Sequence, residues 1–295
     1  MSVYKGIDVS KWQGRIDWNL VRSDGIQFAM IRSSFGWGDG SEDFLFKTNY
    51  DNAKKVDIPV GAYHYSYART PEEAVKEAEY CHSIIKGRKF EYPIAYDMEE
   101  NGVASLGKER VSAIAKAFCE KMESYGYYVC IYANKHWLEN YFTDEILDNY
   151  DIWLAQWTEK PTFNKPYGMW QKSSRGKVAG ITGYVDLDVA YKHYPSIMKF
   201  NGLNGYKKTE KKPYKPTKKP EKKVYKAGDI ISLKNTKLYA TATMTSESNC
   251  ISGEYFVYDG RIINDRLRIT NSKGNVNRKP IGNFVTGYVK LSDLE

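Results

Sequence analysis

The chain has 295 residues, 42% of them hydrophobic and 15% aromatic, which supplies a packed core and excludes a wholly disordered protein. Its length fits one large domain plus a small one, or two medium ones. The net charge is +8, but residues 206–226 alone hold ten lysines against two glutamates, while 1–205 carry 25 basic and 27 acidic residues and 227–295 carry nine and seven; neither flank is the basic domain that a nucleic-acid binder presents.

The first ten residues, MSVYKGIDVS, contain no basic stretch followed by an apolar one. No apolar run approaches the roughly 20 residues of a membrane span. Synthesis and folding in the cytoplasm, without a signal peptide or membrane insertion, are therefore expected. Short apolar runs at 4–9, 28–33, 59–66, 92–98, 127–132, 152–157, 167–171 and 184–189 read as strands, most of them bounded by Gly, Pro, Asn or Asp. Helical patterns fall between the earlier ones, at about 43–56, 71–87, 107–125 and 135–148. Thr70-Pro71-Glu72-Glu73 is a good helix start, with a capping side chain, proline in the first turn and acids after it. Eight strands with intervening helices predict an α/β fold, a parallel barrel or a compact relative. The late strands lie close together, so some barrel helices are expected to be missing.

Residues 202–226 combine lysines with Pro213, Pro216 and Pro220 and read as an extended, semi-stiff linker, open to proteolysis. After it the pattern changes. Segments 229–233, 239–242, 255–258, 267–270 and 288–291 read as short strands, with tight turns at Asp259-Gly260 and Asn264-Asp265. This predicts a small all-β module over 227–295. Four cysteines (Cys81, Cys119, Cys130, Cys250) without metal-type spacing read as reduced, mostly buried thiols.

In a parallel barrel, polar residues at the C-terminal ends of strands carry the chemistry. Here carboxylates stand near the ends of three strands, in Gly6-Ile7-Asp8, Tyr96-Asp97-Met98-Glu99-Glu100 and Val185-Asp186-Leu187-Asp188. Asp8 or Asp188 alone could be a helix cap. Asp97 and Glu99 are harder to dismiss. Side chains two apart on a strand point the same way, about 6.6 Å apart along the backbone, and two such charges on an inward face repel. That arrangement separates two carboxyl pKa values, as glycoside hydrolysis requires. Glu100 would face away. Trp12, Trp37, Tyr63, Tyr65, Tyr132, Trp153, Trp157 and Trp170 cluster near the same ends. Rings of this kind pack on sugar faces, although Trp153 by itself reads as core.

These motifs, together with Trp12-Gln13-Gly14, Pro59-Val60-Gly61-Ala62-Tyr63-His64-Tyr65, Trp153-Leu154-Ala155-Gln156-Trp157 and Trp170-Gln171, occur in the order seen in glycoside hydrolase family 25 lysozymes. The resemblance covers residues 3–195. It implies an irregular (β/α) barrel over 1–201 that cleaves the β-1,4 bond between N-acetylmuramic acid and N-acetylglucosamine in bacterial peptidoglycan. On that resemblance Glu99 is expected to be the general acid, with Asp97, Asp8 and Asp186 as the other acids of the site. Tyr63, Tyr132, Trp157, Gln171 and Arg32 are expected to line the sugar groove. Both direct water attack and help from the substrate's acetamido group stay open. Family 18 chitinases need an acid where Ala95 stands. At Asp188 the family often has Asn, and Asp186 is favoured as the acid facing the site.

The C-terminal module is similar to bacterial SH3-type wall-binding domains, through Ala227-Gly228-Asp229-Ile230, Tyr255 to Gly260, Arg266 to Asn271 and Gly287 to Leu291. Tyr255, Tyr258 and Arg268 are its candidate groove residues, against a simpler reading as half-buried strand positions. Together the parts resemble a phage endolysin that reaches the wall after release from the host cytoplasm. A bacterial autolysin and a non-catalytic peptidoglycan-binding protein are the alternatives. Expected partners are peptidoglycan and associated wall polymers, with self-association through the C-terminal module. No nucleic acid, cofactor or metal is expected.

Overall fold

Along each N-terminal strand, residues alternate between an inner layer and an outer one, and this alternation closes a barrel. In a computed structural model, which describes residues 3–208, 224–243 and 249–294, the strands β1 (Tyr4–Val9), β2 (Phe28–Phe35), β3 (Val60–Tyr65), β4 (Ile94–Asp97), β5 (Val129–Asn134), β6 (Asp151–Ala155), β7 (Met169–Gly176) and β8 (Val185–Ala190) join edge to edge in chain order. Neighbours from β1 to β7 pair in parallel. The last strand, β8, is antiparallel to both β7 and β1. The barrel is thus closed and α/β, but not wholly parallel as the strand–helix alternation suggested. The β7–β8 connection is too short for the crossover that a parallel pair needs.

Among the described residues seven helices precede β7: α1 (Trp18–Ser23), α2 (Phe46–Lys55), α3 (Pro71–Ile85), α4 (Asn101–Ala104), α5 (Lys108–Ser124), α6 (Lys135–Asn140) and α7 (Asp144–Asn149); α8 (Tyr194–Asn201) follows β8. The expected helix at 135–148 is two helices. Asn134 caps the first through a bond from Trp137 N at 3.0 Å, and Ser112 Oγ accepts from Thr143 N at 2.8 Å before the second. Thr70 does cap α3, accepting from Glu73 N at 3.2 Å. No helix lies between β6 and β7 or between β7 and β8, where helices were expected to be missing.

Outward residues such as Ile7, Ala29, Ile31, Tyr96 and Leu154 pack with Phe46, Ala78, Ile114 and Phe118 of the helices. The inner layer is Phe28, Met30, Ala95, Cys130, Trp153 and Met169, with Tyr194 and Met198 of α8 packed into it. A Cβ on Gly6 would overlap the Phe28 ring, so the inner layer accepts one large ring there because its neighbour has no side chain. Cys81, Cys119 and Cys130 are buried free thiols and Cys250 is exposed.

The chain divides into two compact units between Lys211 and Lys212. Most of the lysine–proline segment expected to be a linker, residues 209–223, lies outside the described residues. The second unit is an antiparallel sheet in the order β12 (Gly287–Lys290), β11 (Arg266–Thr270), β10 (Cys250–Ile263), β9 (Ile230–Lys237). Its core is Ile231, Leu233, Val257, Leu267, Ile269 and Val289. Asn264 and Asp265 take positive φ (49° and 60°), as a two-residue hairpin turn requires. Asp259-Gly260 is not the expected turn. It lies within β10, at an irregularity in pairing with β11, where Asp259 is held by Arg268 at 2.6 Å. The expected strand at 239–242 is reduced to a single bridge between Tyr239 and Tyr288. Tyr258 is buried and Arg268 half-buried in an ion pair, which favours strand positions over an open groove.

Candidate active site

The alternation fixes which side chains enter the barrel mouth. In β1, Gly6 and Asp8 face inward while Ile7 and Val9 face the helices; in β4, Ala95 and Asp97 face inward while Ile94 and Tyr96 face outward. Glu99 lies just past the end of β4 and reaches the rim, more exposed than Asp97. Asp186 of β8 stands in register with Asp8 of β1.

These four carboxylates line one cavity of about 390 Å³ together with Arg32, Tyr63, Tyr132, Trp157 and Gln171. The nine residues expected as acids and sugar-groove lining of the barrel therefore line one cavity. Trp12, Tyr65 and Trp153 from the aromatic set also line it, whereas Trp37 and Trp170 do not. Trp170 is buried in the outer layer with its Nε1 donating to the Gln156 carbonyl at 2.7 Å. The reading of Trp153 as core holds, since it is 1% exposed, and it also forms part of the cavity wall.

Hydrogen bonds fix the walls. Gln171 Nε2 donates to Asp8 Oδ2 at 2.8 Å, and its Oε1 accepts from Tyr132 OH at 3.1 Å and Trp157 Nε1 at 3.0 Å. The largely exposed Trp157 ring is thereby anchored from beneath. Arg32 Nε donates to Asp43 Oδ2 at 2.9 Å. Its buried Nη2 has no partner among the described residues, and neither does Asp97 Oδ1. Glu100 is half-buried, accepts from Tyr65 OH at 3.3 Å and caps α4 through Gly102 N.

Burial and like charge act together on the acids. Asp97 is raised well above the usual carboxylate range, first by burial and then by the charge of Glu99, with Arg32 opposing. Glu99 is raised by burial, Asp186 and Glu100. Asp186 is pushed up to about 6, chiefly by burial. Asp8 is raised by burial and by Asp188 and Asp186. Each of the four acids therefore gives up its proton at a higher pH than a free carboxyl does. Among the described residues, no group of three or more His, Cys, Asp or Glu side chains could hold a metal ion.

Residues that the sequence reading gave no site role also contribute. Ser10 and Gln13 line the cavity from a single turn of 3-10 helix, in which Ser10 Oγ accepts from Trp12 N and Gln13 Oε1 from Ser10 N. The S-x-x-Q spacing is a capping-box signal. Ser174 enters beyond irregular pairing in β7, where no periodicity marks it. Asp188 lies deeper than Asp186, accepting from Trp153 Nε1 at 2.8 Å.

The sequence profile of Glycosyl hydrolases family 25 matches residues 7–181. The chain is similar to an autolytic lysozyme of Clostridium acetobutylicum, with 30% identity over 187 residues, 62% of this chain and 55% of the relative. Its fold resembles that of the modular autolysin LytC from Streptococcus pneumoniae (TM-score 0.59, 26% identity, 64% of this chain and 47% of that one). It likewise resembles the bacterial lysozyme from Streptomyces coelicolor (TM-score 0.56, 27% identity, 65% of this chain and 94% of that one). The chain thus spans about half the length of the clostridial and pneumococcal proteins. With the profile matched across more than half of its residues and the acids gathered at the mouth of the barrel, the chain belongs to the glycosyl hydrolases of family 25.

Proposed function

We propose that the protein is a muramidase that hydrolyses the β-1,4 bond between N-acetylmuramic acid and N-acetylglucosamine in bacterial peptidoglycan. The observation that carries this reading is the convergence of Asp8, Asp97, Glu99 and Asp186 on one cavity edged by Trp12, Tyr65 and Trp157. A protein that only held glycan would gain nothing from clustering four mutually repelling acids.

In this reading Glu99 is the general acid. It stands at the rim, where the leaving oxygen would lie, and its raised pKa keeps a proton available. Asp97 sits deeper, and its unpartnered Oδ1 is an acceptor for a substrate N–H, which favours help from the acetamido group. Asp8 and Asp186 add negative potential beneath a developing oxocarbenium ion. Trp12, Tyr63, Tyr132 and Trp157 give the sugar rings apolar faces, and Gln171 and Arg32 position them.

The biological setting we propose is an endolysin, in which an SH3-type C-terminal module and a lysine-rich linker hold the enzyme on wall polymers. Tethering raises the local concentration of the barrel at its polymer. The autolysin reading draws on the clostridial and pneumococcal relatives. Self-association through the C-terminal module belongs to the same proposal.

Digestion of purified peptidoglycan by the parent and by Glu99→Gln, with mass analysis of the fragments, tests the chemistry. Reducing N-acetylmuramic acid ends from the parent alone are expected. Reducing N-acetylglucosamine ends would move cleavage to the other bond. Equal cleavage by both proteins would remove Glu99 from its role.

A further inference from the structure

The cavity of about 390 Å³ is not the largest hollow in the barrel unit. A groove of about 910 Å³ lies between α1 and α2 on the outer wall. The 3-10 turn Lys11–Gln13 separates the two, with Lys11 on the groove side and Trp12 and Gln13 on the cavity side. From Leu45 to Lys55 the groove follows α2 for about 15 Å, at 1.5 Å of rise per residue. An extended peptide of about four residues covers that length.

The two hollows have opposite electrostatics. The cavity is lined by four carboxylates with Arg32 as its cation. The groove carries Lys11, Arg15 and Lys55, and its acid, Asp17, is occupied in capping α1 by accepting from Asn19 N and Leu20 N. Arg15 and Lys55 are exposed and make no ion pair among the described residues. Phe44, 71% exposed, lines the same groove. Asn49 also lines it although only 3% exposed. Its Oδ1 accepts from Trp18 Nε1 at 3.4 Å, and its Nδ2 has no partner among the described residues. A buried amide donor without an acceptor costs free energy until a ligand supplies one.

Peptidoglycan carries both kinds of chemistry on one molecule. Its muramic acid bears a short peptide rich in carboxylates and amide carbonyls. An acidic cavity repels that peptide, and a cationic groove across the rim attracts it. We infer that the α1–α2 groove binds the acidic stem peptide of the strand whose sugars occupy the catalytic cavity. Lys11, Arg15 and Lys55 would meet its carboxylates, Asn49 Nδ2 a carbonyl and Phe44 an aliphatic side chain. This rests on the muramidase reading and extends it from glycan to peptide.

The test compares soluble, uncrosslinked glycan chains that keep their stems with the same chains after enzymatic removal of the stems. Full-length parent and the double variant Arg15→Glu, Lys55→Glu act on each. The parent is expected to show a KM about tenfold lower for stem-bearing chains. The variant should lose that advantage while matching the parent on stem-free chains. Parent-like kinetics of the variant on stem-bearing chains would overturn the inference, as would an equal loss on both substrates. A variant that loses binding to polyglycerol phosphate but keeps the parent's KM on stem-bearing chains would assign the groove to a phosphate polymer instead. A parent that cleaves neither substrate would defeat the muramidase reading itself, so the two failures are distinct.

Discussion

Asp188→Asn should make the barrel more stable at neutral pH. Asp188 is buried beneath the mouth, with Oδ1 accepting from Trp153 Nε1 at 2.8 Å. Burial pushes its pKa from 3.8 up to about 8, with the charge of Asp186 adding and the bond from Trp153 opposing; its Oδ2 has no hydrogen-bond partner among the described residues. Between those two values the folded chain keeps a proton that the unfolded chain releases, so stability falls as pH rises. At about 1.4 kcal/mol per pH unit, holding that proton from 3.8 to pH 7 costs the fold about 4 kcal/mol. Asparagine is neutral throughout. Its Oδ1 keeps the Trp153 bond, and its Nδ2 donates where the Asp188 carboxyl now faces Asp8. The melting temperature of the barrel at pH 7 should rise on the order of 10 °C, at roughly 2–4 °C per kcal/mol for a domain of this size. Melting curves of parent and variant from pH 4 to 8 decide the matter. The gain should shrink toward zero as pH falls to 4, where the unfolded carboxyl is protonated as well. A gain equal at pH 4 and pH 7, or a loss at pH 7, would refute the argument.

Three further changes probe other parts of the same barrel. Glu100→Gln keeps one carbonyl acceptor for Gly102 N and turns an amide donor toward the Tyr65 hydroxyl, which can accept, but removes a charge that raises Glu99; the alkaline limb of kcat/KM should move about half a unit to lower pH, and an unmoved limb would mean that another group titrates there. Glu77 of α3 is fully buried and accepts from Tyr67 N at 2.7 Å, Ser66 Oγ at 3.1 Å and Tyr96 OH at 2.5 Å. Glu77→Ala leaves Ser66 and Tyr96 only their mutual bond at 2.7 Å and the part-buried Tyr67 N without its acceptor, and should cost about 2–4 kcal/mol in denaturant unfolding; a cost below about 1 kcal/mol would show that water reaches them. Gly61→Ala would place a Cβ 2.8 Å from both the Pro93 carbonyl oxygen and Tyr92 Cβ. Backbone at that distance cannot swing aside, and a loss of about 2 kcal/mol or more is expected from the unfolding midpoint.

The barrel was legible because its strands are short, apolar and well punctuated. The sequence reading started β1 and β2 where the structure does and missed the bounds of the others by a few residues. Three helices escaped it. α1, α4 and α8 have six, four and eight residues, too short to establish a period of 3.6. The 135–148 pattern hid a break because Trp137, Leu138, Ile146 and Leu147 continue helical spacing across it; the bond from Thr143 N to Ser112 is a tertiary feature with no local trace. In the second unit, Asp259-Gly260 has turn chemistry yet lies inside β10, because a bulge also uses a glycine at positive φ. The nine residues named on the family resemblance all line the cavity, and they stand at or near strand ends. Ser174 and Asn49 were not named, since the first depends on strand irregularity and the second on the packing of α1 against α2.

The direction of β8 decides which acid reaches the mouth. The strand-end rule, applied to a parallel strand, would favour Asp188, the later residue, and bury Asp186 below it. With β8 reversed, its beginning lies at the mouth. Pairing sets Asp186 opposite Asp8 and Asp188 opposite Gly6, so Asp186 lines the cavity while Asp188 occupies the layer beneath. The space opposite Gly6 is shared with the Phe28 ring, and the indole of Trp153 supplies the hydrogen bond that Asp188 needs there. One reversed strand therefore does two things. It closes the barrel without a crossover helix, and it stacks two carboxylates at different depths on one wall. Asp186 is pushed to about 6 and Asp188 to about 8, so between those pH values the upper acid ionises while the lower one keeps its proton. Charge on the upper acid helps hold the proton on the lower one, since Asp186 is among the causes that raise Asp188.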